Sequence, residues 1–86
     1  MNYSIYEEAR NIGLVRSEEK DREYGSFPEG MKRAAMIASG MLGKDITDID
    51  MHKILIALKF SRDSFHPKYD NMLDSIVYMA EMTRSN

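Results

Sequence analysis

An all-α fold, a compact bundle of about four helices forming one domain over residues 1–86, follows from three features of this sequence. Apolar residues recur at helical spacing in four separate stretches, each with one face to bury. Helix start and stop residues bracket those stretches: Ser4, Ser26 with Pro28, Gly43, Thr47 and Pro67. No run alternates with the period of a strand, and 43% apolar against 30% charged residues is enough for one small core.

Ser4-Ile5-Tyr6-Glu7 reads as a capping box, the serine hydroxyl and the glutamate carboxylate satisfying free amides at a helix start. Ile5, Ala9 and Ile12 then give a short first helix its stripe, which Gly13 interrupts and Leu14-Val15 extends. Residues 17–23, Ser-Glu-Glu-Lys-Asp-Arg-Glu, have no apolar periodicity and read as a solvated connection. Ser26-Phe27-Pro28-Glu29 opens a longer helix, with proline in the first turn, where a missing amide is harmless. Its face of Met31, Ala34, Ala35, Ala38, Met41 and Leu42 is mostly small and lets a neighbour approach closely; Gly43 ends it. Thr47 caps a third helix, with Asp48 and Asp50 at its positive end and Met51, Ile54, Leu55 and Leu58 inward, reaching about Asp63. Pro67 forbids continuation. A fourth helix over residues 68–83 carries Met72, Ile76, Met79 and Ala80, widened by Leu73 and Val77 so that it packs on more than one neighbour. The Ala34-Ala35-Ala38 face and this wide surface exceed what one 86-residue monomer covers, which predicts a homo-oligomer.

Composition removes several function classes. Twelve Lys plus Arg against fourteen Asp plus Glu leave a formal charge of −2, so nothing draws the chain to polynucleotides or anionic membranes. Without cysteine there is no disulfide, thiolate nucleophile or zinc ribbon, and two isolated histidines make no histidine-rich metal site. Glu7 and Glu8 interrupt any signal core, and no stretch approaches the ~20 apolar residues of a membrane span. The expected location is the cytoplasm.

The polar residues that remain fall into two stripes. His52, Lys59 and Arg62 lie at i, i+7 and i+10 along one side of the third helix, an imidazole and two cations suited to a phosphate. Asp70, Asp74, Tyr78 and Glu81 run along one side of the fourth, with Asn71 beside them. The stripes have two readings: paired with each other they form a structural ion network, and partly unpaired they form a polar pocket. Tyr24, following Arg22 and preceding Gly25, offers an aromatic face and a close-approaching backbone for stacking a base. The methionines at 31, 41, 51, 72 and 79 belong to apolar stripes and read as core.

Taken in order, Arg22-Glu23-Tyr24-Gly25, Ala34 to Leu42 ending in Leu-Gly, Ile46-Thr47 with Asp50, Leu58-Lys59 with Arg62, and Asp70-Asn71 with Asp74 and Tyr78 resemble a family of small uncharacterised helical proteins of tailed phages and prophages. That resemblance covers residues 22–82 and implies an accessory protein acting in the infected bacterium. Asp70-Asn71-Met72-Leu73-Asp74 leading into Ser75-Ile76-Val77-Tyr78 is more distantly similar to the last metal-binding helix of MazG-like all-α nucleoside triphosphate pyrophosphohydrolases. Those enzymes hold magnesium with paired Glu-x-x-Glu and Glu-x-x-Asp motifs. Asn71 stands here where the second motif has glutamate, and a neutral amide weakens a magnesium site.

The leading expectation is therefore a non-catalytic oligomer, free of cofactor, that captures and withholds a small phosphorylated ligand such as a nucleotide or cyclic-nucleotide defence signal. In that reading Lys59 and Arg62 contact phosphate, His52 sits beside them, Tyr24 stacks a base with the Gly25 backbone close by, Asp70 or Asn71 orients base or ribose, and Asp74 and Tyr78 complete the ligand-binding set. One alternative is an interaction module that inhibits a host protein. Another is a magnesium-dependent pyrophosphohydrolase using Asp70, Asp74 and Glu7 or Glu8.

Overall fold

The computed structural model describes residues 3–14, 20, 22–23 and 25–83. Among these residues the chain is all-α, with no strand: α1 (Ser4–Leu14), α2 (Phe27–Leu42), α3 (Asp48–Phe65) and α4 (Tyr69–Met82). None of these helices is long and apolar enough to cross a membrane.

The helix ends follow local chemistry. Ser26 is extended and its Oγ accepts the Glu29 N–H at 3.3 Å, Pro28 lies in the first turn, and Gly43 closes α2 at φ +66° with its N–H on the Ser39 carbonyl. A reciprocal capping box opens α3: the Asp50 N–H donates to Thr47 Oγ1 at 3.1 Å and the Thr47 N–H to Asp50 Oδ2 at 3.0 Å. The first helix differs from expectation, because Ser4 is already inside it and the Tyr6 N–H bonds the Tyr3 carbonyl. The third runs past Asp63 to Phe65, since the residue before proline still donates its own amide, His66 N–H to Arg62 O at 3.0 Å. Asp63 then organises the turn, its Oδ1 accepting the Lys68 N–H at 3.0 Å and the Asn71 amide at 3.4 Å. On the other side of α3, Ser39 Oγ accepts the Ile46 N–H at 2.8 Å and donates to the Ile46 carbonyl at 3.1 Å, fastening the α2–α3 connection to α2.

Among the described residues the helices pack chiefly in successive pairs, α2 on α3, α3 on α4 and α4 on α1, and so follow one another as a row. The radius of gyration is 13.8 Å, against about 12 Å for a compact chain of this length. Among the described residues the buried apolar ones are Ala9, Met31, Ala35 and Leu73, joined by the polar His52, Asn71, Ser75 and Glu81. This core departs from the apolar stripes. Ile54, Leu58, Met79 and Ala80 are exposed, and Met41 and Leu42 are 80% and 61% exposed. On α3 the inward face is centred on His52, with Asp48, Leu55, Lys59 and Asp63 half-buried along it, so Ile54 and Leu58 turn to its flank. Part of this buried polarity is satisfied locally: Ser75 Oγ donates to the Asn71 carbonyl of α4 at 2.7 Å. As the sequence predicted, α4 packs on two neighbours.

Candidate functional site

A cleft of about 510 Å³ lies over α4, with the last turn of α1 on one side and the first turn of α2 on the other. Its chemistry comes from Phe27, Asp74, Tyr78, Glu81 and Lys20, and Ile12, Leu14 and Val77 supply apolar wall. Phe27, placed by the Ser26 cap, stacks on Tyr78 with ring centroids 6.1 Å apart and planes 18° from parallel. The same ring meets the edge of His52 at 5.7 Å and 65°. One aromatic side chain thus joins the start of α2 to both α3 and α4. Asp74, on the cleft wall, is held by Lys59 from α3 at 2.7 Å. Glu81 is 6% exposed and lies beside Gly13 of α1. The positive end of α2 offers few free donors, because Ser26 takes the amides of Glu29 and Gly30 and Pro28 has none.

The sequence stripes are regrouped by this arrangement. Asp74 and Tyr78 line the cleft together, and Lys59 stands behind Asp74 as its ion partner. His52 is 1% exposed and leaves the solvated flank that it was expected to share with Lys59 and Arg62. Its Nδ1–H donates to the Asp48 carbonyl at 2.8 Å, the normal acceptor one turn earlier, and Nε2 is buried without a partner. Asp48 Oδ2 is likewise buried and unbonded. Arg62 and Asp70 are exposed and outside the cleft lining. Asn71, 7% exposed, serves the α3–α4 turn through Asp63. Gly25 adopts φ +75°, and a Cβ there would come within 3.0 Å of Arg33 Nη2, so the close approach it allows is to a side chain of α2. Tyr24 lies outside the described residues.

Phe27 and Lys20 were not legible as site residues. Phe27 looks like part of a helix start; the available signal was an aromatic in a first turn, where little else of its own helix can cover it. Lys20 belongs to the polar connection, whose path the periodicity does not constrain.

A second tie lies nearby. The Tyr69 hydroxyl donates to Glu8 Oε2 at 3.0 Å, linking α4 to α1, and partial desolvation followed by that carboxylate holds the phenol pKa above its ordinary value. Asp50 is shifted the other way, its carboxyl held below the ordinary aspartate range by the backbone and side-chain hydrogen bonds of Thr47. Among the described residues no three His, Asp or Glu side chains converge in a group able to hold a metal ion.

Residues 4–86 match the model of a domain of unknown function, DUF6378. Over 62 residues the chain is 39% identical to the Gene 55 protein of Mycobacterium phage D29, an alignment covering 72% of this chain and 39% of that protein. The chain therefore spans about two fifths of the length of the curated relative it matches. No solved structure matches. The phage resemblance of the sequence is thereby supported, and the chain belongs to the DUF6378 family.

Proposed function

We propose that this chain captures a small nucleotide in the cleft over α4 and holds it without converting it, as a phage accessory protein in the cytoplasm of the infected host. The observation that carries this reading is the Phe27–Tyr78 stack in a cleft of about 510 Å³, a volume in the range of small-molecule sites and a surface suited to a planar base. Lys20, Asp74 and Glu81 also line the cleft, and Asp74 is already bound by Lys59. Arg62 lies outside that lining, so the reading rests on the aromatic pair rather than on the phosphate contact expected of Arg62.

Purified protein mixed with linear and cyclic nucleotides and magnesium, then separated from solution, tests this directly. An intact nucleotide released only on denaturation is the expected result. Phe27→Ala should weaken binding by about 1–3 kcal/mol, roughly 5- to 150-fold, through the lost stacking. Cleaved nucleotides in solution would put the MazG-like pyrophosphohydrolase first, and nucleotides left free and unchanged would overturn the reading. Phe65, 93% exposed at the end of α3, favours a second reading, an interaction module that docks a host protein through this aromatic.

A further inference from the structure

The cleft over α4 carries hydrogen-bond acceptors on both sides of its aromatic pair. Asp74 lies one turn before Tyr78 and Glu81 almost one turn after it, about 6 Å and about 4.5 Å away along the helix axis, and all three line the same cavity. Glu81 is the closed member, 6% exposed and beside Gly13. Asp74 is the open one, its side chain 38% exposed. A planar ring lying against Phe27 and Tyr78 therefore has the Asp74 carboxylate within reach of its edge.

Lys59 decides how that carboxylate is offered. Its side chain, 18% exposed, comes from α3, and Nζ bonds Asp74 Oδ2 at 2.7 Å. No other described residue pairs with Asp74. Oδ1 thus keeps its lone pairs and Oδ2 retains one, so the group can accept two neighbouring N–H bonds while Lys59 offsets its charge. Among the bases of nucleotides, guanine sets a ring N–H directly beside an exocyclic amine, the paired donors that a carboxylate accepts. Adenine and cytosine place an acceptor nitrogen beside their amine, and uracil flanks its N–H with two carbonyls. Each of these turns a lone pair toward the carboxylate, which costs more than a missing contact.

We propose that Asp74 is the specificity-determining residue of the cleft, selecting a guanine nucleotide by accepting its paired N–H donors, and that Lys59 is a positioning residue that holds Oδ2 and leaves Oδ1 to the base. This rests on the nucleotide reading and adds the identity of the base to it. Isothermal titration calorimetry of the full chain with the monophosphates of guanosine, inosine, adenosine and xanthosine tests it. Guanosine monophosphate should bind at least about tenfold more tightly than adenosine monophosphate, with inosine monophosphate, which lacks the amine, between them. Asp74→Asn gives a readout that a structural role would not move. Lys59 takes the amide oxygen, the amide N–H group replaces Oδ1, and preference should pass to xanthosine monophosphate, which has a carbonyl where guanine has its amine. Lys59→Met should shrink the guanosine-to-adenosine ratio with helix content unchanged. The wild-type ranking and Lys59→Met decide the matter by themselves if Asp74→Asn does not fold. Equal binding of guanosine and adenosine monophosphates, both weakened by Phe27→Ala, overturns this assignment and leaves the stacking site standing. So does an Asp74→Asn variant that keeps the preference for guanosine. Binding of none of the four overturns this assignment and the nucleotide reading together.

Discussion

Replacing His52 separates its two placements, one on a solvated basic flank and one in the centre of the fold. At 1% exposure, with Nδ1–H on the Asp48 carbonyl and the ring edge against Phe27, it fills space that alanine would leave empty. Truncating a large buried side chain to alanine costs about 2–5 kcal/mol, which includes the hydrogen bond lost here. Relief of the unbonded Nε2, about 1–3 kcal/mol, offsets part of this. The expected net loss for His52→Ala is about 1–3 kcal/mol, a large part of the ~4–13 kcal/mol total of an 86-residue domain. At about 4–8 °C per kcal/mol, the unfolding midpoint should fall by roughly 5–20 °C. His52→Leu keeps the volume, removes the orphan nitrogen and should lie within about 1 kcal/mol of wild type. Urea melts followed by circular dichroism at a fixed protein concentration provide the assay. Equal stability of wild type and His52→Ala, within about 0.5 kcal/mol, would refute the buried placement and return His52 to the surface stripe.

Three further outcomes follow from named contacts. Lys59→Met removes the cation from a pair whose side chains are 18% and 38% exposed, so it should lower stability by no more than about 1 kcal/mol in the same urea melts. Because the Asp50 pKa is lowered in the folded chain, its contribution is present above the unfolded value and is lost as pH falls through the folded one. Asp50→Asn should flatten this acid-range dependence in melts run from about pH 5 downward. The Tyr69 pKa is raised, so its contribution is present below the ordinary value of 10.0 and is lost as pH rises through the folded one. Tyr69→Phe should remove that alkaline dependence, and hydrogen exchange should then be faster in α1.

The helix boundaries were legible because capping is local. Ser26, Gly43 and the Thr47–Asp50 box act within four residues of where they stand, and sequence displays such spacing directly. The buried face of α3 was not. Its centre is a histidine and its margin includes Asp48 and Lys59, which become interior through Phe27, the Asp48 carbonyl and Asp74 rather than through their own hydropathy. The same distinction divides the cleft. Asp74 and Tyr78 were found together because they are one turn apart on α4, whereas Phe27 reaches Tyr78 from 51 residues away in the chain. Asn71 was read by position in a motif, and its partner Asp63 lies across a turn that the periodicity does not describe.

The order of the row has a consequence for how occupancy and unfolding are linked. Among the described residues its two outermost members, α1 and α2, each pack chiefly on one neighbouring helix, and they are also the two walls of the cleft. Anything seated there is a keystone: it touches α1, α2 and α4 beneath, bridging two helices that share few contacts among the described residues. Its free energy of binding then enters directly into the cost of peeling either end away, growing with the logarithm of free concentration. Occupancy should accordingly slow amide exchange in α1 and α2 together, although the two helices hardly touch.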